Sequence, residues 1–427
     1  MTKLFNVLTF IVFFLTCTNL QADTLIISLK EAYTNNPKLN AERANVRATY
    51  QDKNLAISEF MPNITVSGYA SEQDNTSDHG ADSNFYPTEQ SLLIEQKIFD
   101  GFGGVANYKK QKYEYQLSQI KLKKTEQETL LAAAEAHTDF ILGRKKLNIN
   151  RINVDLLERQ VETDQARLER GEISLTDLAQ SEASLAGAEA KLISAENELV
   201  TSTANFERII GISPSENIKD FEKINFMLPQ SLAEAIKISS DENPDIQIAS
   251  TEYEISKQDV FIAGSEFSPS ATLSYKIAEQ DDFSASSEQR VQQTLKAEAT
   301  WPLYAGSSNY FSLKKAKELR NRYNLLLDDE KKALKSNTAN AWSNYQSSKS
   351  VLESVNLQVR AAEIANEGII AEYESGSERT TLEVIQSSSV LLDSRIDLAV
   401  AEKNFLISQL NLLSSIGRLT ARHLNLK

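Results

Sequence analysis

Proline occurs at eight positions only, 37, 62, 87, 214, 229, 244, 269 and 302, and the tracts 88–213 and 303–427 contain none. An interior proline costs a helix ~3 kcal/mol, so this spacing maps where long helices are permitted. Within the second tract, Ser307–Glu374 holds a single glycine, Gly368. Its apolar and small residues recur at three- and four-residue steps: Leu319, Tyr323, Leu326, Leu334, Trp342, Tyr345, Leu352, Val355, Val359, Ala362, Ile369 and Tyr373. That periodicity predicts one helix over 307–374, roughly 100 Å long at 1.5 Å per residue. A second proline-free rod of similar length runs over 102–170. Helices this long are coiled coil, membrane or repeat structure. Lys, Asp, Glu and Asn interrupt every turn or two, which excludes a hydrocarbon environment. The rods must therefore pack lengthwise against other helices.

The chain is also written twice. Ala56-Ile-Ser-Glu-Phe-Met-Pro62, followed by NITVSGYASEQ, matches Ala263-Gly-Ser-Glu-Phe-Ser-Pro269, followed by SATLSYKIAEQ. Upstream, SLKEA at 28–32 matches SLAEA at 231–235, and Asn36-Pro37 matches Asn243-Pro244. Downstream, Ile98-Phe-Asp-Gly101 matches Leu303-Tyr-Ala-Gly306, Gly171 matches Gly376, and Ala195-Glu196 matches Ala401-Glu402. Landmarks kept in one order mean a duplicated unit of roughly 205 residues, too long for a solenoid repeat. The units are 23–211 and 231–417, joined by a linker over 212–230 and followed by a tail over 418–427.

Each unit opens with a helical stretch, 28–60 or 231–267, which Asn-Pro interrupts near its start because the residue before proline leaves the α region. Two strand-like runs follow, 62–71 and 91–99, or 270–279 and 290–303. Ile64, Val66, Gly68 and Ala70 alternate with Asn63, Thr65, Ser67 and Tyr69, while Leu295, Ala297, Ala299 and Trp301 alternate with Thr294, Lys296, Glu298 and Thr300. A period of two marks half-buried strands. The linkers Gln73–Gln90 and Glu279–Arg290 read as exposed hairpin loops. Gly101 and Gly306 then mark the strand-to-helix junctions. Each rod turns at Gly171 or Gly376 and returns over 173–210 or 380–416. Both turns share one far tip, with the strands at the other end. The linker, with Pro214 and Pro229, lies partway along the rods because the returning helices are shorter.

Such strands fit a soluble antiparallel sheet or one with an apolar face in lipid. The N-terminus favours lipid: Lys3 precedes the apolar run LFNVLTFIVFFLTC and then TNLQAD, the pattern of a secretory signal peptide over 1–22, cleaved after Ala22. Cys17, the single cysteine, lacks the small residue that lipoprotein processing wants before it. Aromatic residues near the strand ends (Tyr69, Phe85, Tyr86, Phe99, Trp301, Tyr304) fit an interfacial girdle. Four strands cannot close a barrel, and an open edge in hydrocarbon costs several kcal/mol per unpaired group. Two copies would give eight strands and three would give twelve; only twelve leaves room for a channel. With lipid on the apolar face, the expected fold is mainly α with a β part: a duplicated half-protein with long antiparallel coiled-coil rods and four strands per chain in a shared trimeric barrel.

Composition narrows the function. A net charge of −14 argues against a nucleic-acid partner, which needs a basic stripe. One cysteine and three histidines far apart in sequence offer no metal site. No phosphate loop or nucleophile elbow is present, so neither an enzyme nor a cofactor is expected.

The order of segments resembles the TolC-like outer-membrane efflux family over essentially the whole mature chain. The matching features are the Asn-Pro in the first helix, the proline opening each outer strand, Phe-Asp-Gly-Phe and Leu-Tyr-Ala-Gly at the strand-to-helix junctions, and the tip glycines. The resemblance implies a homotrimer with a twelve-stranded barrel in outer-membrane lipid and a helical tunnel in the Gram-negative periplasm, so that the rods too close into a coiled-coil barrel. It implies passive export, in drug efflux or type I secretion, of substrates delivered by an inner-membrane transporter and a periplasmic adaptor. It also carries over the periplasmic aperture: Tyr373 as the tip tyrosine, Arg379 as the tip arginine, Glu383 as an acidic ring, and Asp177 as the neighbour restraining the tyrosine. Gln386 stands where the prototype has a second acidic ring. The competing reading is a periplasmic coiled-coil adaptor or structural protein, although adaptors usually show one hairpin and no whole-chain duplication.

Overall fold

The computed structural model describes residues 24–76, 83–215, 218, 220–221, 224, 226–284, 287–375 and 379–426. The expected signal peptide, Cys17 and Gly376 lie outside them. Each half begins with two helices where the sequence suggests one interrupted stretch: α1 (Leu25–Asn35) and α2 (Pro37–Ser58), then, in the second half, a matching pair across Asn243-Pro244. The asparagine explains the break. Asn36 Oδ1 accepts the Leu39 N–H at 3.2 Å and Pro37 fills the first helical position, where no N–H is needed. Its amide then donates to the Ile209 carbonyl at 3.1 Å, and Asn243 repeats the contact on the Ser415 carbonyl at 2.7 Å.

The first half continues through β1 (Asn63–Ala70), a small hairpin of β2 (Gln73–Asn75) and β3 (Ser83–Phe85), β4 (Thr88–Phe99), the rod α3 (Gly103–Glu169) and the return helix α4 (Leu175–Ile210). The second half has α5 (Leu232–Glu242), α6 (Pro244–Ser265), β5 (Ser270–Ser284), β6 (Ser287–Thr300), the rod α7 (Ser308–Glu374) and the return helix α8 (Thr381–Ser415). Both rods have 67 residues. The β5–β6 hairpin runs well into the stretch 279–290 that reads as loop, with Ser284 opposite Ser287, because backbone pairing needs no apolar face. β6 stops at Thr300, before Pro302, and Trp301 instead donates its indole N–H to the Phe267 carbonyl at 3.1 Å.

The main sheet has the order β1-β4-β5-β6, antiparallel throughout. Its register sorts side chains by chemistry. Ile64, Ile94, Tyr275 and Leu295 form one cross-strand row, and Val66, Leu92 and Ile277 another on the same face. The opposite face carries the rows Asn63-Glu95-Ser274-Lys296 and Thr65-Leu93-Lys276-Thr294. On that polar face Glu89 accepts from Lys276 at 2.6 Å and from Gln280 at 2.9 Å.

Below the sheet, α2, α3, α6 and α7 lie side by side in that order; farther along, the order is α4, α3, α8, α7. Among the described residues, a conventional core sits partway down, where α1, α5, parts of the linker and the tail pack on the rods. Leu29, Leu130, Phe206, Ile210, Leu410, Leu412, Ile416 and Leu419 are fully buried there. Arg418 pins the tail through a two-pronged bond to Glu242.

Candidate functional site: the helical tip

The first long hairpin turns at a glycine. At the end of α3, the Gly171 N–H meets the Leu168 carbonyl and the Glu172 N–H meets the Arg167 carbonyl, both at 2.9 Å, while Gly171 adopts φ +73°. This is a Schellman termination, which a left-handed glycine completes. The return helices then start with reciprocal caps. Ser174 Oγ accepts the Asp177 N–H as Asp177 Oδ2 accepts the Ser174 N–H at 2.9 Å. Thr380 and Glu383 repeat the arrangement at 3.3 and 2.8 Å. A polar residue three positions after the cap satisfies two otherwise orphaned N–H groups, and this sets where α4 and α8 begin.

These caps fix the carboxylates. The Thr380 N–H, followed by Arg379 and the Thr380 hydroxyl, holds the Glu383 carboxyl below the usual carboxylate range. The Ser174 hydroxyl and N–H do the same for Asp177. Arg379 bridges Glu372 at 2.7 Å and Glu383 at 2.9 Å. Its contacts are thus within its own hairpin. Gln386 is exposed on α8, three residues after Glu383 and so one turn further on the same face.

Tyr373 is the second-last residue of α7, and its partners differ from the one expected. Its hydroxyl lies 3.0 Å from Thr381 Oγ1 and receives a hydrogen bond from Arg167 Nη1. Asp177, expected to restrain this tyrosine, turns its carboxylate to Ser174 because the cap competes for the same oxygens. Sequence reasoning missed Arg167, which stands 206 residues from Tyr373; the one local signal was a cation in the last turn of α3. Above Tyr373 an apolar cleft of about 360 Å³ separates α3 from α7 and α8, lined by Ile152, Leu156, Ile370, Val384 and Leu391. The strand-to-helix junctions lie at the opposite end, with Gly101 and Gly306 at φ +66° and +61°.

The outer membrane efflux protein family matches residues 28–212 and 235–418, one copy per half. The chain is 28% identical over 413 residues to the outer membrane efflux protein BepC of Brucella suis, covering 95% of this chain and 88% of that one. It is 22% identical to the outer membrane protein TolC of Escherichia coli, with 95% and 84% covered. The solved Campylobacter jejuni CmeC outer membrane channel superposes with a TM-score of 0.84 at 12% identity, over 93% of this chain and 86% of that one. With both halves matched by the family and the whole fold shared, this chain belongs to the outer membrane efflux proteins and is a TolC-family channel of the Gram-negative outer membrane with a helical periplasmic part.

Proposed function

We propose that three copies of this chain close into one export duct. TolC-family channels are trimers that work with an adaptor and an inner-membrane pump. For this chain the supporting observation is a sheet with two free edges and one exposed apolar face. β1 and β6 flank it, and Ile64, Val66 and Leu295 are 62%, 78% and 71% exposed. The edge of β1 in one copy meets β6 of the next, giving twelve strands with lipid outside and a polar lumen inside. The helices repeat the pattern: α7 is one flank, α2 and α4 the other, and Tyr310, Phe311, Leu357 and Ile364 against Tyr50, Leu55, Ile193 and Val200 are exposed there. The chain exposes 26620 Å², whereas a compact monomer of 47.7 kDa exposes about 16,000 Å².

At the tip, Glu383 from three copies forms an ionised ring that favours cations. Tyr373 and Arg379 hold the aperture closed, with Gln386 as an uncharged second ring. A pump–adaptor assembly that contacts the open tip better than the closed one opens it, and efflux or secretion follows the pump's choice of cargo. The test is cysteine pairing: single cysteines along 63–70 combined with single cysteines along 287–300 give oxidised ladders that end at three chains. A ladder continuing beyond three, or absent from every pair, overturns this closure.

A further inference from the structure

Two segments meet the phenol of Tyr373 from outside its own helix. Arg167, in the last turn of α3, donates to its hydroxyl and places the guanidinium carbon 4.9 Å from the ring centroid. Arg167 Nε is itself 3.2 Å from Glu172 Oε2, beyond the glycine turn. Thr381, the first residue of α8, meets the same phenol oxygen. Arg167 is largely covered, with 27% of its side chain exposed, so its two contacts to Tyr373 are partly shielded from solvent. Within 160–181 and 366–388, the Arg167–Tyr373 pair is the side-chain hydrogen bond that joins the α3–α4 hairpin to the α7–α8 hairpin, among the described residues. Asp164, Arg170, Asp177 and Arg379 are each committed within their own hairpin: Asp177 to Ser174, Asp164 to Ser181 at 2.5 Å and Gln160 at 3.0 Å, Arg170 to Glu172, and Arg379 to Glu372 and Glu383.

We propose that Arg167 is the positioning residue of the closed tip: a guanidinium latch that fastens one coiled-coil hairpin to the other through both the edge and the face of Tyr373. This rests on reading the tip as the aperture. A planar guanidinium can stack on a ring while donating to its hydroxyl, whereas an ammonium offers the charge without the fork. Opening the hairpins apart breaks both contacts together and leaves the Glu172–Arg167 bond intact on the first hairpin. The latch therefore stays oriented for reclosure.

The test is single-channel recording of the purified full-length protein in planar bilayers, with circular dichroism and heat resistance of the oligomer verifying that each variant folds. Arg167→Ala raises the ratio of open to closed time about tenfold, from the combined loss of the ring contact and the hydrogen bond. Arg167→Lys recovers part of the closed state when Tyr373 is present and none of it beside Tyr373→Leu, an interaction that a merely structural arginine would not show. If Arg167→Ala folds and leaves the record unchanged while Arg379→Ser opens the pore, the aperture stands and the latch falls. Should Asp177→Asn open the pore and Arg167→Ala not, the restraint is a carboxylate and the proposal is overturned. If no tip substitution alters conductance, the aperture reading falls and takes the latch with it.

Discussion

His137 is the buried titratable group whose chemistry has the clearest consequence for the fold. It is 2% exposed on α3. Nδ1 lies 2.8 Å from Ser28 Oγ on α1, and the ring is 6.1 Å from that of Phe206 on α4. Burial, and then the nearby Arg144, lower its pKa from 6.5 to about 4. Its folded pKa is below its unfolded one, so the unfolded chain binds more protons in between. Stability from this group is full above pH 6.5 and falls as pH drops toward 4, by at most about 1.4 kcal/mol per unit. Heat denaturation of the detergent-solubilised protein between pH 7.5 and 4.5 should show the decline, and His137→Gln should flatten it; equal slopes would remove His137 as the cause. The sequence offered His137 only as a poor candidate ligand, since burial is not a local property. At the tip, Tyr373, Arg379 and Glu383 were named through the family resemblance. Arg167 was not, because its partner comes from the other half of the chain.

Duplicated elements need not carry duplicated constraints, and the two strand-to-helix junctions illustrate this. Gly101 and Gly306 both adopt left-handed backbone, yet a methyl group on Gly101 would stand 2.4 Å from Ser268 Cβ and 2.8 Å from the Ser265 carbonyl oxygen. On Gly306 it would meet nothing within 4 Å. Gly306→Ala should therefore cost only the left-handed strain, about 1–2 kcal/mol, while Gly101→Ala must also push the junction away from the end of α6. The yield of heat-resistant oligomer from membranes checks the difference; equal losses would mean that the close approach to Ser265 and Ser268 does not matter. The glycines were legible as matched landmarks, and so were the rods, because proline exclusion and a long helical period act along the chain itself. What the sequence hid at these elements is nonlocal. Phe102 and Ser307 share the left-handed turn at φ 65° and 67° although neither is glycine, a conformation imposed by the strand and helix that they join.

At the scale of the whole molecule, the proposed closure puts the two faces of the sheet in different solvents, and a charge placed on each should report which is which. Ile94 and Ser274 sit on adjacent inner strands one register row apart, Ile94 facing Tyr275 and Ser274 facing Glu95. They lie at nearly the same level of the sheet but point to opposite faces. An arginine in lipid near the midplane costs about 2–4 kcal/mol, and one in a water-filled lumen costs little. Ile94→Arg should thus lower unfolding resistance in lipid vesicles by that amount in each copy, whereas Ser274→Arg leaves it nearly unchanged and instead shifts the anion–cation permeability ratio of the open channel. The same pair in a water-soluble sheet would behave alike in vesicles and in detergent-free buffer. Equal destabilisation by both arginines would therefore mean that the apolar rows are buried against protein and not lipid. The alternation along each strand already predicted the contrast, because side-chain period two is a property of the extended backbone. The register that stacks Ile64, Ile94, Tyr275 and Leu295 into one row had to be seen, since pairing between halves separated by an entire pair of rods leaves no trace in neighbouring residues.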